Sequence, residues 1–284
     1  TAYDISLGLV GSEMCIRDSL KCNKVKGSAK PKLDEISNVA FKVDADNGCA
    51  HRAISLGMEK LIPSAKENGI SSLAITNSYN CGVLGYHTKN IAKKKLIAIG
   101  FTNAPASIAP LGGIKPVVGT NPISMAIYNK GDVKIKIDKS ASVVAKSEIS
   151  VRAKSGKKIP EGWAFGPDGK TTTDANIALK GTMAPAGGYK GFGMGLFVEI
   201  MSACLTGSNL GIEASSFAND KGDPPGTGQF FIAINPEKFS ENYLSVGQGM
   251  GHTLLMANEM RAYTISDRST WIAFKKKELS LIHI

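Results

Sequence analysis

Two glycine-bearing turns carry the polar residues best suited to hold a phosphorylated ligand. Residues 187–191 read GGYKG and residues 78–82 read SYNCG, and each stretch stands directly before a predicted helix. Glycines let successive backbone amides point outward, and the following helix directs the positive end of its dipole to the same place. In GGYKG, Lys190 adds a mobile cation. Spacing leaves two interpretations of GGYKG open: a phosphate cradle, or a tight turn that allows close helix packing.

Other polar residues stand at the ends of predicted elements, where capping competes with ligand binding. Ser78 or Asn80 can cap the helix after SYNCG, and spacing favours capping there. Thr120, in the motif GTNP, can offer a hydroxyl to a substrate. Asp138 ends a predicted strand, where its carboxylate can cap the next helix or accept hydrogen bonds from a ribose; capping is again favoured.

Few side chains in the body of the chain can move a proton. Asn80 cannot, because a side-chain amide neither gains nor loses a proton near neutral pH. His51 is predicted to be a packing or surface residue, whereas His87 lies one turn into the helix after NCG, close to the candidate cofactor turn. Glu148 is predicted to be a solvated surface carboxylate. The signatures GxGxxG, GxSxG, HExxH and the P-loop are absent, so a nucleotide site must be built another way.

Composition narrows the class of protein. The 284 residues, 43% of them hydrophobic, can bury one large core or two modest ones. No run of 18 apolar residues predicts a membrane span, and five cysteines without a CxxC pair favour the cytoplasm and no metal site. The net charge is +10, but the basic residues are not interleaved with aromatic residues and no helix-turn-helix pattern is found. This favours anionic metabolites over nucleic acid as partners.

The hydrophobic pattern predicts a mixed α/β fold without internal repeats. A helix is predicted over 47–69, with a kink or restart at Pro63, and another is predicted from Ser140 to about Lys154. Between and after them, the pattern predicts strands at 72–76, 96–102, 123–127, 133–137 and 228–236, a helix at 84–94, and a long site-lining loop at 103–122. The ends, 1–19 and 279–284, resemble translated sequencing adapters and are set aside as tails.

From about residue 34 to 236, eight ordered motifs resemble the malate/L-lactate dehydrogenase family of non-Rossmann, NAD(P)-dependent oxidoreductases. The motifs are VDADNG, NSYNCGVLGYH, FTNAPASIAPLGG, GTNPIS, DKSASVVAKSEI, IPEGWAFGPDGKTTTD, MAPAGGYKGFGMGLFVEI and GQFFIAINP. The resemblance implies an α/β fold with a mixed sheet and flanking helices, NAD or NADP as cofactor, a small anionic 2-hydroxy or 2-oxo acid as substrate, and a homodimer. It also implies a partial helical part of a substrate domain at 20–72, a cofactor-binding domain at 73–236 and a C-terminal helical part at 237–278.

The resemblance also assigns roles to individual residues. Thr120 matches the substrate-contacting threonine, and Glu148 matches an acidic catalytic partner of the imino-acid-reducing branch. The cofactor-binding positions fall on Asn80, Cys81, Gly82, Val83, Leu84, Asp138, Lys139, Ser140 and Lys190.

Three departures from the family pattern bear on activity. Asn80 stands where many members carry histidine, the N-terminal SHG motif with its proton donor is not found, and Arg261 and Arg268 lack the proline and glycine of a cofactor loop. The sequence therefore predicts a sulfolactate- or malate-type dehydrogenase whose present chain is weak or inactive. The alternatives are a reductase of cyclic imino acids and a non-catalytic nucleotide-binding dimer.

Overall fold

A seven-stranded mixed sheet forms the centre of the computed structural model, which describes residues 19–217 and 219–239. The strands run in the order β1-β2-β3-β9-β4-β5-β6, and every neighbouring pair is antiparallel except β2 and β3, which are parallel. Their bounds are β1 Lys32–Ser37, β2 Ala40–Asp44, β3 Ile70–Ser78, β4 Ile97–Thr102, β5 Ile123–Asn129, β6 Asp132–Lys139 and β9 Thr227–Ile234. A separate two-stranded sheet pairs β7 Ala164–Phe165 with β8 Thr182–Met183.

Helices cover both faces of the large sheet. The bounds of the described helices are α1 Ala50–Asn68, α2 Leu84–Ala92, α3 Lys146–Lys154, α4 Ala175–Lys180 and α5 Tyr189–Glu199, the last continuing into a π-helical turn at Ile200–Cys204. Of these, α1, α2 and α5 cover the large sheet. Helices α1 and α2 pack on one face around a core that includes Leu61, Leu73 and Phe231. On the other face, Val198 of α5 packs against Phe101 and Phe230. The predicted α/β class with flanking helices is confirmed.

A second hydrophobic cluster lies outside the large sheet and gathers α3, α4 and the small sheet. Its centre is Ile108, which forms bridges with both Val118 and Met183. The long loop between β4 and β5 is therefore held in place by backbone pairing and by a buried core of its own.

Two predictions about the helices are wrong. The helix does not restart at Pro63, because α1 continues through it, with Leu61 and Ala65 fully buried on either side. Packing against the sheet compensates for the one hydrogen bond that proline cannot donate. Ser140 does not begin a helix; α3 starts at Lys146, because the backbone of the intervening residues pairs with other segments.

Most of the other elements agree with the sequence pattern to within a few residues. The strands predicted at 72–76, 96–102, 123–127, 133–137 and 228–236 correspond to β3, β4, β5, β6 and β9, and the helix predicted at 84–94 to α2. The proposed domain boundary at residue 72 falls inside β3, and the segment 20–72 contributes two strands of the same sheet as well as α1. Residues 1–18 of the first predicted tail, the tail 279–284, Arg261, Arg268 and most of the segment 237–278 lie outside the described residues.

Alanine substitution at two helix-interior glycines should change the free energy of unfolding in opposite directions. A Cβ added at Gly57 would stand 2.5 Å from both terminal methyl groups of Leu73, whereas one added at Gly193 meets nothing within 4 Å. We expect Gly57→Ala to lower the free energy of unfolding by about 1–3 kcal/mol through overpacking. Gly193→Ala, the matched control, should raise it by up to about 1 kcal/mol through helix propensity. Urea denaturation of both variants measures the difference, and equal shifts would contradict the packing described for α1.

Candidate cofactor and substrate site

The end of strand β6 meets the beginning of helix α2. Helix α2 packs across β4, β5 and β6, so its N-terminus lies near the last residues of β6. Asp138 Oδ2 accepts a hydrogen bond of 2.7 Å from the backbone N–H of Gly85, in the first turn of α2. The spacing favoured capping of the helix that follows Asp138 in sequence. Asp138 instead caps α2. The two predicted cofactor segments, 80–84 and 138–140, are brought together by this contact.

Ala141 links the same segment to two further predicted site residues. Its N–H donates to the carbonyl of Thr120 at 2.8 Å, and its carbonyl accepts from the N–H of Ala186 at 2.8 Å. Thr120 carries the predicted substrate hydroxyl, and Ala186 directly precedes the turn that presents Lys190. These backbone bonds explain why the residues directly after β6 do not form a helix.

The turn at 80–84 presents backbone more than side chains. Asn80 Oδ1 accepts from the N–H of Gly82 at 2.6 Å, which forms a turn one residue before the helix, and neither Asn80 nor Ser78 caps α2. Cys81 and Leu84 are buried, and burial raises the pKa of the Cys81 thiol to about 12. Gly82 is exposed with φ +70°, a conformation that favours glycine.

The turn before α5 leaves its glycine backbone uncovered. Gly187 and Gly188 adopt φ +75° and +66°, and no atom lies within 4 Å of where a Cβ of either would stand. Gly191, in contrast, packs against Ala186, since an added Cβ would come within 2.3 Å of the Ala186 carbonyl oxygen. Lys190 is exposed beside this turn. Of the two alternatives that the sequence left open, close packing is present at Gly191, whereas the phosphate cradle at Gly187 and Gly188 stays a prediction.

The residues present fit a dinucleotide. Two helix N-termini, at α2 and α5, border the segment 138–141, and each has exposed glycine backbone at its entry. Lys190 and the exposed Lys139 supply positive charge for phosphates. The Ser140 hydroxyl bonds to the carbonyl of Ser142 at 3.1 Å, which fixes the exit of this segment.

Two histidines lie against the turn at 80–84. The rings of His51 and His87 stand 5.1 Å apart, and a Cβ at Gly82 would be 3.6 Å from the ring of His51. His87 is buried and its Nε2 bonds to the carbonyl of Cys81 at 2.8 Å. Burial lowers the pKa of His87, the Cys81 carbonyl opposes this, and the neighbouring His51 adds to the lowering. His51 is more exposed, as predicted, yet partial desolvation also lowers its pKa.

Glu148 lies on the surface helix α3. Its carboxylate pairs with Arg152 at 3.0 Å, and the Arg152 guanidinium stacks over the ring of Trp163 at 4.8 Å. The surface environment agrees with the interpretation from spacing, and the contacts do not join Glu148 to Thr120 or Lys190. Its catalytic role stays a prediction.

Sequence reasoning missed a buried polar network beneath Thr120. Asn121 is fully buried in the left-handed region (φ +34°), and Glu199 is 4% exposed. The motif GTNP predicts a turn there. Asn121 and Glu199 are 78 positions apart in the sequence, however, and no pattern in the sequence indicates that their side chains meet. Within 19–217 and 219–239, no cluster of metal-ligating side chains occurs, and no helix is long and apolar enough to cross a membrane.

Comparison with known proteins places this geometry in a family. The sequence profile described as malate/L-lactate dehydrogenase matches residues 6–262, beginning inside the segment 1–19 for which an adapter origin is predicted. Over 241 residues the chain is 39% identical to the (2R)-3-sulfolactate dehydrogenase (NADP(+)) of Chromohalobacter salexigens, covering 85% of this chain and 72% of that protein. Over 227 residues it is 36% identical to the Delta(1)-pyrroline-2-carboxylate reductase of Ancylobacter novellus, covering 80% and 67%.

A solved structure shows the same fold. The sulfolactate dehydrogenase from Methanocaldococcus jannaschii superposes with a TM-score of 0.72 at 28% sequence identity, covering 94% of this chain and 83% of that one. The resemblance drawn from the eight motifs is thereby confirmed.

The contact between Asp138 and Gly85 predicts a specific loss of stability. Asp138→Ala removes the cap of α2 and should lower the free energy of unfolding by about 1 kcal/mol. Asp132→Ala is the matched control, because Asp132 lies on the same strand and bonds only to the adjacent N–H of Val133 among the described residues. Urea denaturation followed by circular dichroism compares them. An equal loss in both variants would contradict the capping role.

The histidine pair predicts a pH dependence. Both folded-state pKa values lie below 6.5, so the unfolded state binds more protons as pH falls through that value, and the free energy of unfolding should decrease. His51→Gln removes the neighbouring positive charge and should raise the pKa of His87. Urea denaturation at several pH values measures the free energy of unfolding. Proton NMR of the ring resonances measures the histidine pKa values. Arg52→Gln is the control, because Arg52 bonds to the carbonyl of Ala29 (3.0 Å), and the same rise there would contradict the pairing.

Proposed function

Since the chain belongs to the malate/L-lactate dehydrogenase family, we propose that it interconverts 3-sulfolactate, or a closely similar 2-hydroxy acid, with its 2-oxo acid, using NADP. It is an oxidoreductase of the class that transfers a hydride between NAD(P) and a small 2-hydroxy or 2-oxo acid. The choice of sulfolactate and NADP rests on the relative that is 39% identical to this chain.

The observation that carries the proposal is the convergence on residues 138–141. Asp138 holds the turn at 80–84 through Gly85, and Ala141 holds both Thr120 and the segment that leads to Lys190. We assign cofactor binding to Asn80, Cys81, Gly82, Val83, Leu84, Asp138, Lys139, Ser140 and Lys190. Cys81 and Leu84 contribute backbone groups, since their side chains are buried.

Each residue has a distinct task in this proposal. When bound, the nicotinamide carries the hydride. Lys190 and the open glycine turn before it hold a phosphate, while Asn80 fixes the turn so that the backbone of Gly82 stays exposed. The Thr120 hydroxyl donates a hydrogen bond to the substrate, which orients it for transfer.

A lysine beside the loop that carries Thr120 supports a substrate with two anionic groups. Lys146 Nζ lies 3.5 Å from Ser107 Oγ, and burial lowers the pKa of Lys146. The N–H of Ser107 bonds to the carbonyl of Val118, two residues before Thr120. The Lys146 ammonium, next to the loop that carries Thr120, is suited to bind the sulfonate or second carboxylate of a dianionic acid.

A second candidate is reduction of a cyclic imino acid. The relative from Ancylobacter novellus has that activity in its name and is 36% identical to this chain. A cyclic imine has one anionic group and apolar ring atoms, so Lys146 would have no partner in such a substrate. The acidic partner in that branch would be Glu148.

We also propose a homodimer in the cytoplasm. Helix α5 and its π-helical extension expose Met194, Phe197, Ile200 and Leu205, a row of apolar side chains suited to contact with a second copy. Cys22, Cys49, Cys81 and Cys204 are free thiols, which suits a reducing compartment.

An assay with NADPH tests the proposed function directly. Loss of NADPH absorbance is followed with 3-sulfopyruvate, oxaloacetate, pyruvate and pyrroline-2-carboxylate, and we expect the fastest turnover with 3-sulfopyruvate. Lys190→Ala should raise the NADPH KM about tenfold or more by removing a charge-assisted phosphate contact. Lys180→Ala, the control on nearby α4, should not. Preference for the imine would favour the second candidate, and NADPH binding without turnover of any substrate would favour a non-catalytic nucleotide-binding dimer.

A further inference from the structure

Glu199 is a buried carboxylate to which the proposed reaction gives no role. It is the last residue of α5 and is 4% exposed. Its Oε2 accepts from Asn121 Nδ2 at 2.5 Å, and its Oε1 accepts from the N–H of Gly211. Burial raises the pKa of Glu199, while hydrogen bonds from Gly211, Asn121 and Asn103 act in the opposite direction. Such a group is costly to bury unless its partners are fixed.

Asn121 uses every polar atom of its side chain in this network. Besides bonding to Glu199, its Nδ2 donates to the carbonyl of Gly195 at 2.9 Å, and its Oδ1 accepts from the N–H of Ala104 at 3.1 Å. The amide orientation is therefore fixed by two backbone partners. Asn121 adopts φ +34°, which an asparagine tolerates better than most residues. The residue directly before it is Thr120.

Close backbone packing surrounds the same point. A Cβ at Gly119 would lie 2.2 Å from the carbonyl oxygen of Ala104, and one at Gly211 would lie 3.2 Å from the N–H nitrogen of Gly119. The loop carrying Thr120 is thus enclosed by two other loops and by α5. Helix α5 begins beside Lys190 and extends over about 16 Å to Glu199. One rigid helix therefore connects the proposed cofactor lysine to the loop that carries the proposed substrate threonine.

We propose that Glu199 is a positioning residue for the reaction. By holding Asn121, it fixes the position of the adjacent Thr120 relative to Lys190. The proposal rests on the proposed function for the roles of Thr120 and Lys190. The partners of Glu199 are all hydrogen-bond donors, so only a carboxylate accepts from both Asn121 Nδ2 and the N–H of Gly211. A glutamine presents one acceptor and one donor, and one of the two contacts must be lost.

Hydrogen exchange tests the positioning without any need for turnover. The N–H groups of Ala104, Ala141 and Thr102 donate to Asn121, Thr120 and Pro122 respectively, so their exchange reports release of this loop. In Glu199→Gln we expect their exchange to accelerate about tenfold or more, as for loss of a charge-assisted hydrogen bond. The N–H of Phe231, in the central strand β9, should change less than about twofold, since it reports the sheet as a whole.

Kinetics of the same variant separates positioning from a purely structural role. Because Thr120 contacts the substrate, Glu199→Gln should raise the KM for the 2-oxo acid about tenfold or more while the Kd for NADPH stays within about twofold. Glu59→Gln is the matched control. It makes the same change at an exposed carboxylate on α1, on the other face of the sheet, and it should change neither quantity.

A second variant covers failure of the first to fold. Asn121→Gly keeps φ +34° accessible and removes the amide that Glu199 holds, so it should give the same pattern. Unchanged exchange at Ala104 and Ala141 in Glu199→Gln would overturn the proposal. So would equal acceleration at Phe231, or failure of both variants to fold, because either result marks a role in the core alone. If the wild-type chain turns over no substrate, the proposed function fails, while the exchange pattern still decides whether Glu199 positions the loop.

Discussion

The candidate site depends on the short backbone segment 138–141, because three separate parts of the chain are hydrogen-bonded to it. Asp138 holds the N-terminus of α2, and Ala141 holds Thr120 on one side and Ala186 on the other. These contacts use one side-chain carboxylate and two main-chain groups, so the arrangement follows from the path of the backbone after β6. A helix beginning at Ser140 would remove both main-chain contacts and separate the parts of the site.

The proposed nucleotide site lacks the usual dinucleotide fingerprint. Two helices, α2 and α5, offer their N-termini next to segment 138–141, and glycines at Gly82 and Gly187–Gly188 leave backbone uncovered there. The acidic residue of a Rossmann site reads the ribose, but here Asp138 caps a helix while its strand belongs to a largely antiparallel sheet.

Sequence periodicity predicted the strands and helices that bury one face, since apolar spacing records burial directly. It failed at Ser140 and Pro63, where long-range backbone pairing and sheet packing outweigh local preference. The candidate site residues were proposed from turn chemistry at Asn80, Thr120 and Lys190, and the family resemblance favoured binding over capping; their roles stay predictions. The partnership of Asn121 with Glu199 was not predictable, because its geometry exists only once α5 has packed beneath the loop.

The most direct test of the account is a hydrogen-exchange comparison of the chain with and without NADPH. The account predicts slowed exchange in three separate stretches, at residues 80–85, 138–141 and 187–190, with little change in β1 and β2. Protection confined to the lysine-lined cleft formed by Lys66, Lys94, Lys95 and Lys238 would contradict it, since that cleft shares no residue with these stretches. Protection of only one stretch would show that segment 138–141 does not assemble a common site.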